Sequence, residues 1–124
     1  MPLSRAQCLV KLRQLGQERR RLLSRLTRAD ELAVGSVSPV QRKCGNPSCH
    51  CAEGPGHLQV LFLFQDERGD RRCKLVRRAD EARLLRAGER YRDFRDGLQR
   101  LRAMDRREKE ILMALRGLRA LRYE

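Results

Sequence analysis

The sequence has no tryptophan, and aromatic residues make up only 4% of its 124 positions. Apolar residues account for 40% and charged residues for 36%, with leucine and arginine the commonest of each class. So few bulky apolar side chains exclude a large globular core. The composition favours long amphipathic helices packed along a narrow seam over layered sheets.

The sequence also lacks any apolar run of the roughly 20 residues that a membrane-spanning helix requires. Its start, MPLSRAQCLVKLRQL, carries charges inside what would be the apolar stretch of a secretion signal. We therefore expect a cytoplasmic protein without membrane contact. In a reducing compartment, five cysteines with three of them clustered indicate metal or redox chemistry before they indicate disulfides.

A catalytic set of residues is missing as well. There are only two histidines, the acidic residues are scattered over helical surfaces, and no glycine-rich phosphate-binding loop follows a strand. We therefore expect that the protein is not an enzyme.

Two segments carry the apolar periodicity of long helices. A capping box of Ser4 and Gln7 begins the first, and Gly35 and Pro39 end it, which predicts a helix over residues 4–34. The second helix is predicted over residues 79–122. In both, residues recur at steps of three and four, as in a coiled coil. The first seam comprises Cys8, Leu12, Leu15, Arg19, Leu22, Leu26, Ala29 and Ala33, and the second comprises Leu84, Ala87, Tyr91, Phe94, Leu98, Leu101, Met104, Glu108, Ile111, Leu115 and Leu118.

The two helices differ in expected length. At about 1.5 Å per residue the first would be about 45 Å long and the second about 65 Å. An antiparallel pair would then leave the end of the second uncovered, including Ile111, Leu112, Leu115 and Leu118. A second copy of the chain is the simplest cover, so we expect a homodimer.

Residues 37–77, between the helices, have a different character. LQVLFLFQ (58–65) and RRCKLVR (71–77) flank the turn sequence DERGD, which predicts a β-hairpin, and residues 37–43 can add a third strand. The predicted fold class is therefore mainly α. It is an antiparallel, coiled-coil-like helical hairpin with a small hairpin or three-stranded tip between the helices, in a single domain of residues 1–124.

The sequence CGNPSCHC (44–51) indicates a metal site that braces this tip. Three thiolates and an imidazole are available from Cys44, Cys49, Cys51 and His57. Glycines and prolines in the gaps allow the sharp turns that wrap a short loop around one ion. Four protein ligands would close the coordination sphere, so we predict a structural Zn²⁺.

Two alternatives to this site stay open. His50 or Cys73 can replace His57 as the fourth ligand. The Cys-x-Cys pair can also act as a redox switch, although the sequence shows no resolving partner.

Basic residues outnumber acidic ones by 29 to 16, giving a net charge of +13, and 25 of the 29 are arginines. Because the guanidinium binds phosphate through two donors at once, this predicts a nucleic-acid partner, and we favour DNA over RNA. Seven basic residues flank the metal site and are the predicted phosphate contacts: Arg42, Lys43, Arg71, Arg72, Lys74, Arg77 and Arg78. The predicted function is a non-enzymatic, zinc-stabilised nucleic-acid-binding accessory protein.

The alternative function is a coiled-coil adaptor or dimerisation module that does not bind nucleic acid. In that case the seams pair with another protein, such as a transposase or recombinase, and the charge only aids solubility. Salt dependence separates the two, since phosphate contacts weaken with salt and apolar contacts do not.

The stretch from Arg42 to about Leu101 resembles an uncharacterised prokaryotic domain family whose members are commonly encoded beside transposases. Its pattern is Cys-Gly-x-Pro-x-Cys-x-Cys, a loop with a histidine, an aromatic-rich strand and a Tyr-x-x-Phe helix. The matching residues are Cys44, Gly45, Pro47, Cys49, Cys51, His57, Phe62, Phe64, Tyr91 and Phe94. The resemblance implies a zinc-bound tip on helices and a mobile-element setting. Residues 58–61 depart from the family's aromatics, which argues against base stacking on this strand.

Overall fold

The structure, a computed structural model, describes residues 2–124 and divides them into two compact units. The helical unit consists of the residues up to Ala29 together with Phe94–Glu124, and the sheet unit of Asp30–Asp93. In chain order the helices and strands of the described residues are α1 (Arg5–Leu26), β1 (Ser36–Arg42), β2 (His57–Gln65), β3 (Arg71–Leu75) and α2 (Glu81–Arg119). Short 3-10 helices lie at His50–Glu53 and Arg78–Asp80. The first turns of α2 belong to the sheet unit and the remainder to the helical unit.

The predicted fold class, a mainly α helical hairpin with a small tip, is wrong. The protein is α+β, with 55% of residues helical and 17% in strands. Its strands form an antiparallel sheet in the order β1-β2-β3, and this sheet has a core of its own. The buried residues of that core are Ala33, Val37, Val60 and Ala87, with Phe62, Val76, Leu84 and Leu85 packed against them. The sheet is a separate layer because its apolar face is covered by the first turns of α2.

The hairpin and the third strand are confirmed. In the register of the sheet, Phe62 pairs with Val37 on one side and with Lys74 on the other. Because directly opposed residues share a face, this row lies on the covered face with Val60. The open face carries the alternate residues, including Leu63 and Leu75, which are about half exposed.

The first helix begins where predicted and ends earlier. The Ser4 Oγ accepts from the Gln7 N–H at 3.2 Å, and Gln7 Oε1 accepts from the Ser4 N–H at 2.8 Å, so the capping box is confirmed. The helix ends at Leu26 rather than near Val34 because the chain turns extended to bury Ala33, whose N–H donates to the Ala87 carbonyl at 3.0 Å. Across residues 2–124, no helix combines the length and the apolar character that a membrane crossing demands.

Within the helical unit, α1 contacts α2 in reverse order. Gly97 of α2 lies against Leu22 and Leu26 of α1. Arg19, earlier in α1, contacts Glu108, which lies further along α2. Ile111 is only 1% exposed. Of the four residues expected to lack cover, Ile111 is therefore buried within the helical unit, whereas Leu115 is half-buried and Leu112 and Leu118 are 48% and 52% exposed. The expected homodimer rested on that overhang and stays a prediction.

Ion pairs of Arg19 join the two helices. Its Nη1 donates to Glu108 Oε2 and its Nη2 to Asp105 Oδ1, both at 2.8 Å. The Arg19 side chain is 25% exposed and that of Glu108 35%, so the pair is partly screened by solvent. The hydrogen bond that Arg19 donates to Glu108, together with the charges of Glu108 and Asp105, raises the pKa of Arg19.

We expect Arg19→Met to lower the free energy of unfolding by about 1 kcal/mol, because two carboxylates lose their shared cation. Urea denaturation measures this, with the exposed neighbour Arg20→Met as the matched control. In the double variant Arg19→Met/Glu108→Met the loss should be smaller than the sum of the two single losses. Equal stabilities of the Arg19 and Arg20 variants would show that the ion pairs contribute nothing.

Candidate metal centre

The four predicted ligands lie in and beside the loop that joins β1 to β2. Cys44 follows the end of β1, Cys49 and Cys51 lie at the start of the 3-10 helix, and His57 is the first residue of β2. The sheet holds the ends of this loop together because Arg42 pairs with His57. The prediction that these four side chains converge is confirmed.

Their ligand atoms all lie within 4.8 Å of one another. Cys44 Sγ is 3.4 Å from Cys51 Sγ, and Cys49 Sγ is 3.3 Å from His57 Nε2. A tetrahedral zinc site with Zn–S bonds of about 2.3 Å has edges of about 3.8 Å, which is close to these separations. Cys51 is buried, Cys49 half-buried and Cys44 exposed. The four residues can therefore hold one metal ion at the edge of the sheet unit.

A tight turn at Asn46 brings Cys49 back towards Cys44. The Asn46 carbonyl accepts from the Cys49 N–H at 3.0 Å, and the Asn46 side chain accepts from the Ser48 N–H at 3.1 Å. Pro47 supplies the fixed φ that the second position of such a turn favours. Asn before Pro is a recognised turn signal, so the sharp turn expected in this gap is found at Asn46 and Pro47.

Gly56 closes the loop on its other side. Its φ of 99° lies in the left-handed region, and an added Cβ would come within 2.7 Å of the Arg42 carbonyl oxygen. Only glycine fits this approach, which delivers His57 to the start of β2.

The thiols of Cys44 and Cys51 do not ionise equally. The backbone N–H of Asn46, followed by the side chains of Cys51 and His57, lowers the pKa of Cys44 from 9.0 to about 6. The backbone N–H of Cys44 acts to lower the pKa of Cys51, but burial and the thiols of Cys44 and Cys49 outweigh it and raise that pKa. Two thiolates at this separation repel each other, and a divalent cation would remove the repulsion. The donor set therefore suits a metal ion.

Of the three candidates for the fourth ligand, His57 is the one that lies with the three cysteines. The ring centroid of His50 lies 5.9 Å from that of His57, edge to face, and His50 is outside the cluster. Cys73 is also outside it and lies exposed on the open face of the sheet, opposite Leu63.

The seven basic residues predicted as phosphate contacts are not placed on one surface. Strand alternation puts Arg71 on the open face, as it does Arg42, whereas Arg72 and Lys74 share the other face with the phenylalanines of β2. Lys43, Arg77 and Arg78 lie outside the strands.

Several of these seven already have partners within the sheet unit. Arg72 Nε donates to Asp66 Oδ2 at 2.8 Å, and Arg77 is 3.4 Å from Asp80. The Lys43 Nζ donates to the Ala52 carbonyl at 3.0 Å, and the Lys74 Nζ lies 5.8 Å from the centroid of the Phe64 ring. These four residues thus make contacts within the hairpin, the loop that joins β1 to β2, and the segment before α2.

Comparison with known proteins finds a match to a protein family. Residues 12–87 match the model of a family described as a domain of unknown function (DUF6788). The matched range contains the four clustered ligands and the whole sheet. No curated protein and no solved structure matches the chain.

Proposed function

Because the chain belongs to the DUF6788 family, whose description assigns no function, we propose from its own residues that it is a non-enzymatic, zinc-stabilised nucleic-acid-binding protein. The observation that carries this proposal is the convergence of three thiols and an imidazole in a chain of net charge +13. The donor set supports the metal part of the proposal, and the charge supports the nucleic-acid part.

Zinc is the ion that this donor set favours. Thiolates and imidazole suit Zn²⁺, whereas Mg²⁺ and Ca²⁺ prefer carboxylate and carbonyl oxygens. Cys44, Cys49, Cys51 and His57 would fill a tetrahedral sphere and leave no position for a reactive water. The role proposed for the ion is therefore to stabilise the loop and the sheet beside it, not to catalyse.

The charge of the chain supports a polyanionic partner. Three thiolates and one Zn²⁺ together lower the net charge by only one, from +13 to +12. Arginine supplies 25 of the 29 basic residues, and one guanidinium group can donate hydrogen bonds to two phosphate oxygens at once. Binding that rests on phosphate contacts carries little sequence preference.

The wider setting of this function is also a proposal. An accessory role beside a transposase or recombinase, the homodimer and the cytoplasmic location stay predictions. The adaptor alternative also stays a prediction: Ile111 is buried, but Leu112, Met113, Leu118 and Leu121 are exposed.

Fluorescence anisotropy of the zinc-loaded protein with labelled duplex DNA, single-stranded DNA and RNA tests the proposal. We expect binding that weakens by a factor of about 40 between 50 and 200 mM salt if only three phosphates are contacted, and by more if there are further contacts. Absence of binding to all three at low salt, or binding that salt leaves unchanged, would contradict the proposed function.

A further inference from the structure

The positive charge is concentrated in the helical unit. That unit contains 17 Lys and Arg against 6 Asp and Glu, a net charge of +11, whereas the sheet unit contains 12 against 10, a net charge of +2. Zinc with three thiolates would lower the sheet unit to +1. Attraction to a polyanion therefore arises from the helical unit and not from the surroundings of the metal centre.

One exposed side of α2 carries a row of this charge, which we call the basic stripe. Its members are Arg102, Arg106, Lys109 and Arg116. Residues at such spacings share one side of a helix, and Met104 and Ile111, which are buried, lie on the opposite side. At about 1.5 Å per residue the stripe is about 21 Å long.

The basic stripe is not used within the protein. Among residues 2–124, none of its four side chains has an acidic partner, whereas Arg19 is held by two carboxylates and Arg107 by Glu110 at 3.0 Å. Its guanidinium and ammonium groups are exposed and available to phosphates.

The chemistry of the stripe fits duplex DNA better than other polyanions. Aromatic residues of the helical unit are limited to Phe94, which is half-buried, and Tyr123 near the end of the chain, so no ring platform exists for single-stranded bases or for a membrane interface. The stripe consists of arginine and lysine alone, which suits phosphate contacts rather than the 2′-hydroxyl contacts that distinguish RNA. A straight row of cations instead matches a regular phosphate backbone.

We propose that the protein binds the phosphate backbone of duplex DNA through the basic stripe of α2, while the metal centre stabilises the sheet unit without contacting the DNA. This inference rests on the proposed function, and it replaces the seven residues around the metal site as the principal contact surface.

Two charge-reversal variants with the same change in net charge test the surface. The first is Arg102→Glu/Arg106→Glu/Lys109→Glu, and the matched control is Arg71→Glu/Arg72→Glu/Lys74→Glu. In anisotropy titrations with duplex DNA, we expect the α2 variant to bind at least about tenfold more weakly at 50 mM salt and its salt slope to fall by about 3, as the loss of three phosphate contacts requires. The control should bind within about threefold of the wild type with an unchanged slope.

The outcomes of these titrations distinguish a failure of the proposed contact surface on α2 from a failure of the proposed nucleic-acid-binding function. Loss of DNA binding in the Arg71/Arg72/Lys74 variant with retention in the α2 variant, or equal loss in both, overturns the inference and leaves the proposed function standing. Tighter binding of duplex RNA or of phosphatidylserine vesicles than of duplex DNA also overturns the inference. A wild-type protein that binds no nucleic acid overturns both. If circular dichroism shows that the α2 variant is unfolded, the neutral variant Arg102→Gln/Arg106→Gln/Lys109→Gln takes its place with the same expected direction.

Discussion

Replacing Cys51 with serine is expected to unfold the sheet unit at temperatures where the wild-type protein is folded. Cys51 is buried, and its thiol is one of the four proposed zinc ligands. The core of the sheet unit consists of four buried residues, two of which are alanines, so apolar burial stabilises it only weakly. Binding of a structural zinc contributes on the order of 10 kcal/mol, which is comparable to the whole stability of a small domain.

Thermal unfolding followed by circular dichroism measures this effect. Cys73→Ser is the matched control, because Cys73 is exposed and outside the cluster. A strong chelator should lower the Tm of the wild type and of the control variant, and it should have no further effect on Cys51→Ser. If Cys51→Ser and Cys73→Ser unfold at the same temperature, the metal does not stabilise the sheet.

The second large effect is expected from Ile111→Ala in the helical unit. Ile111 is 1% exposed, and truncation removes buried methyl and methylene groups and leaves a cavity. Such a change typically costs about 2–5 kcal/mol. The neighbouring Leu112 is 48% exposed, so Leu112→Ala should cost less than about 1 kcal/mol and is the control.

Urea denaturation of the two variants gives the comparison. A large loss for Ile111→Ala alone supports the packing of α1 over the later part of α2. Equal losses for both would contradict this packing.

Local signals in the sequence predicted the metal cluster and several elements correctly. The spacing of the three cysteines and His57, with glycine and proline between them, identified the four side chains that converge, because the convergence depends on a short loop. The capping box at Ser4 and the turn between β2 and β3 were predicted for the same reason. In each case the deciding contacts join residues that are close along the chain.

The fold class could not be predicted because it depends on which apolar faces of the helices and the sheet pack against one another. Leu84 and Ala87 continue the seam of α2, and periodicity shows only that they are buried. In the structure they pack in the core of the sheet unit with Val37 and Val60. Ala33 likewise continues the seam of α1, yet it is drawn into the sheet core by a hydrogen bond to Ala87, far along the chain.

Two other features follow from the sequence by simple geometric rules: an ion pair between the helices and the opposite orientation of neighbouring residues in a strand. Arg19 and Glu108 are opposite charges in the two apolar seams, and pairing them would have predicted the ion pair between the helices. Arg71 and Arg72 are adjacent in a strand and must point to opposite faces, so they cannot belong to one contact surface.

The metal content of the purified protein tests the central claim most directly. Elemental analysis, combined with X-ray absorption spectroscopy at the zinc edge, should find one zinc per chain bound by three sulfurs and one nitrogen, as Cys44, Cys49, Cys51 and His57 require. Protein that is folded and free of bound metal, or zinc bound mainly by oxygen, would contradict the account.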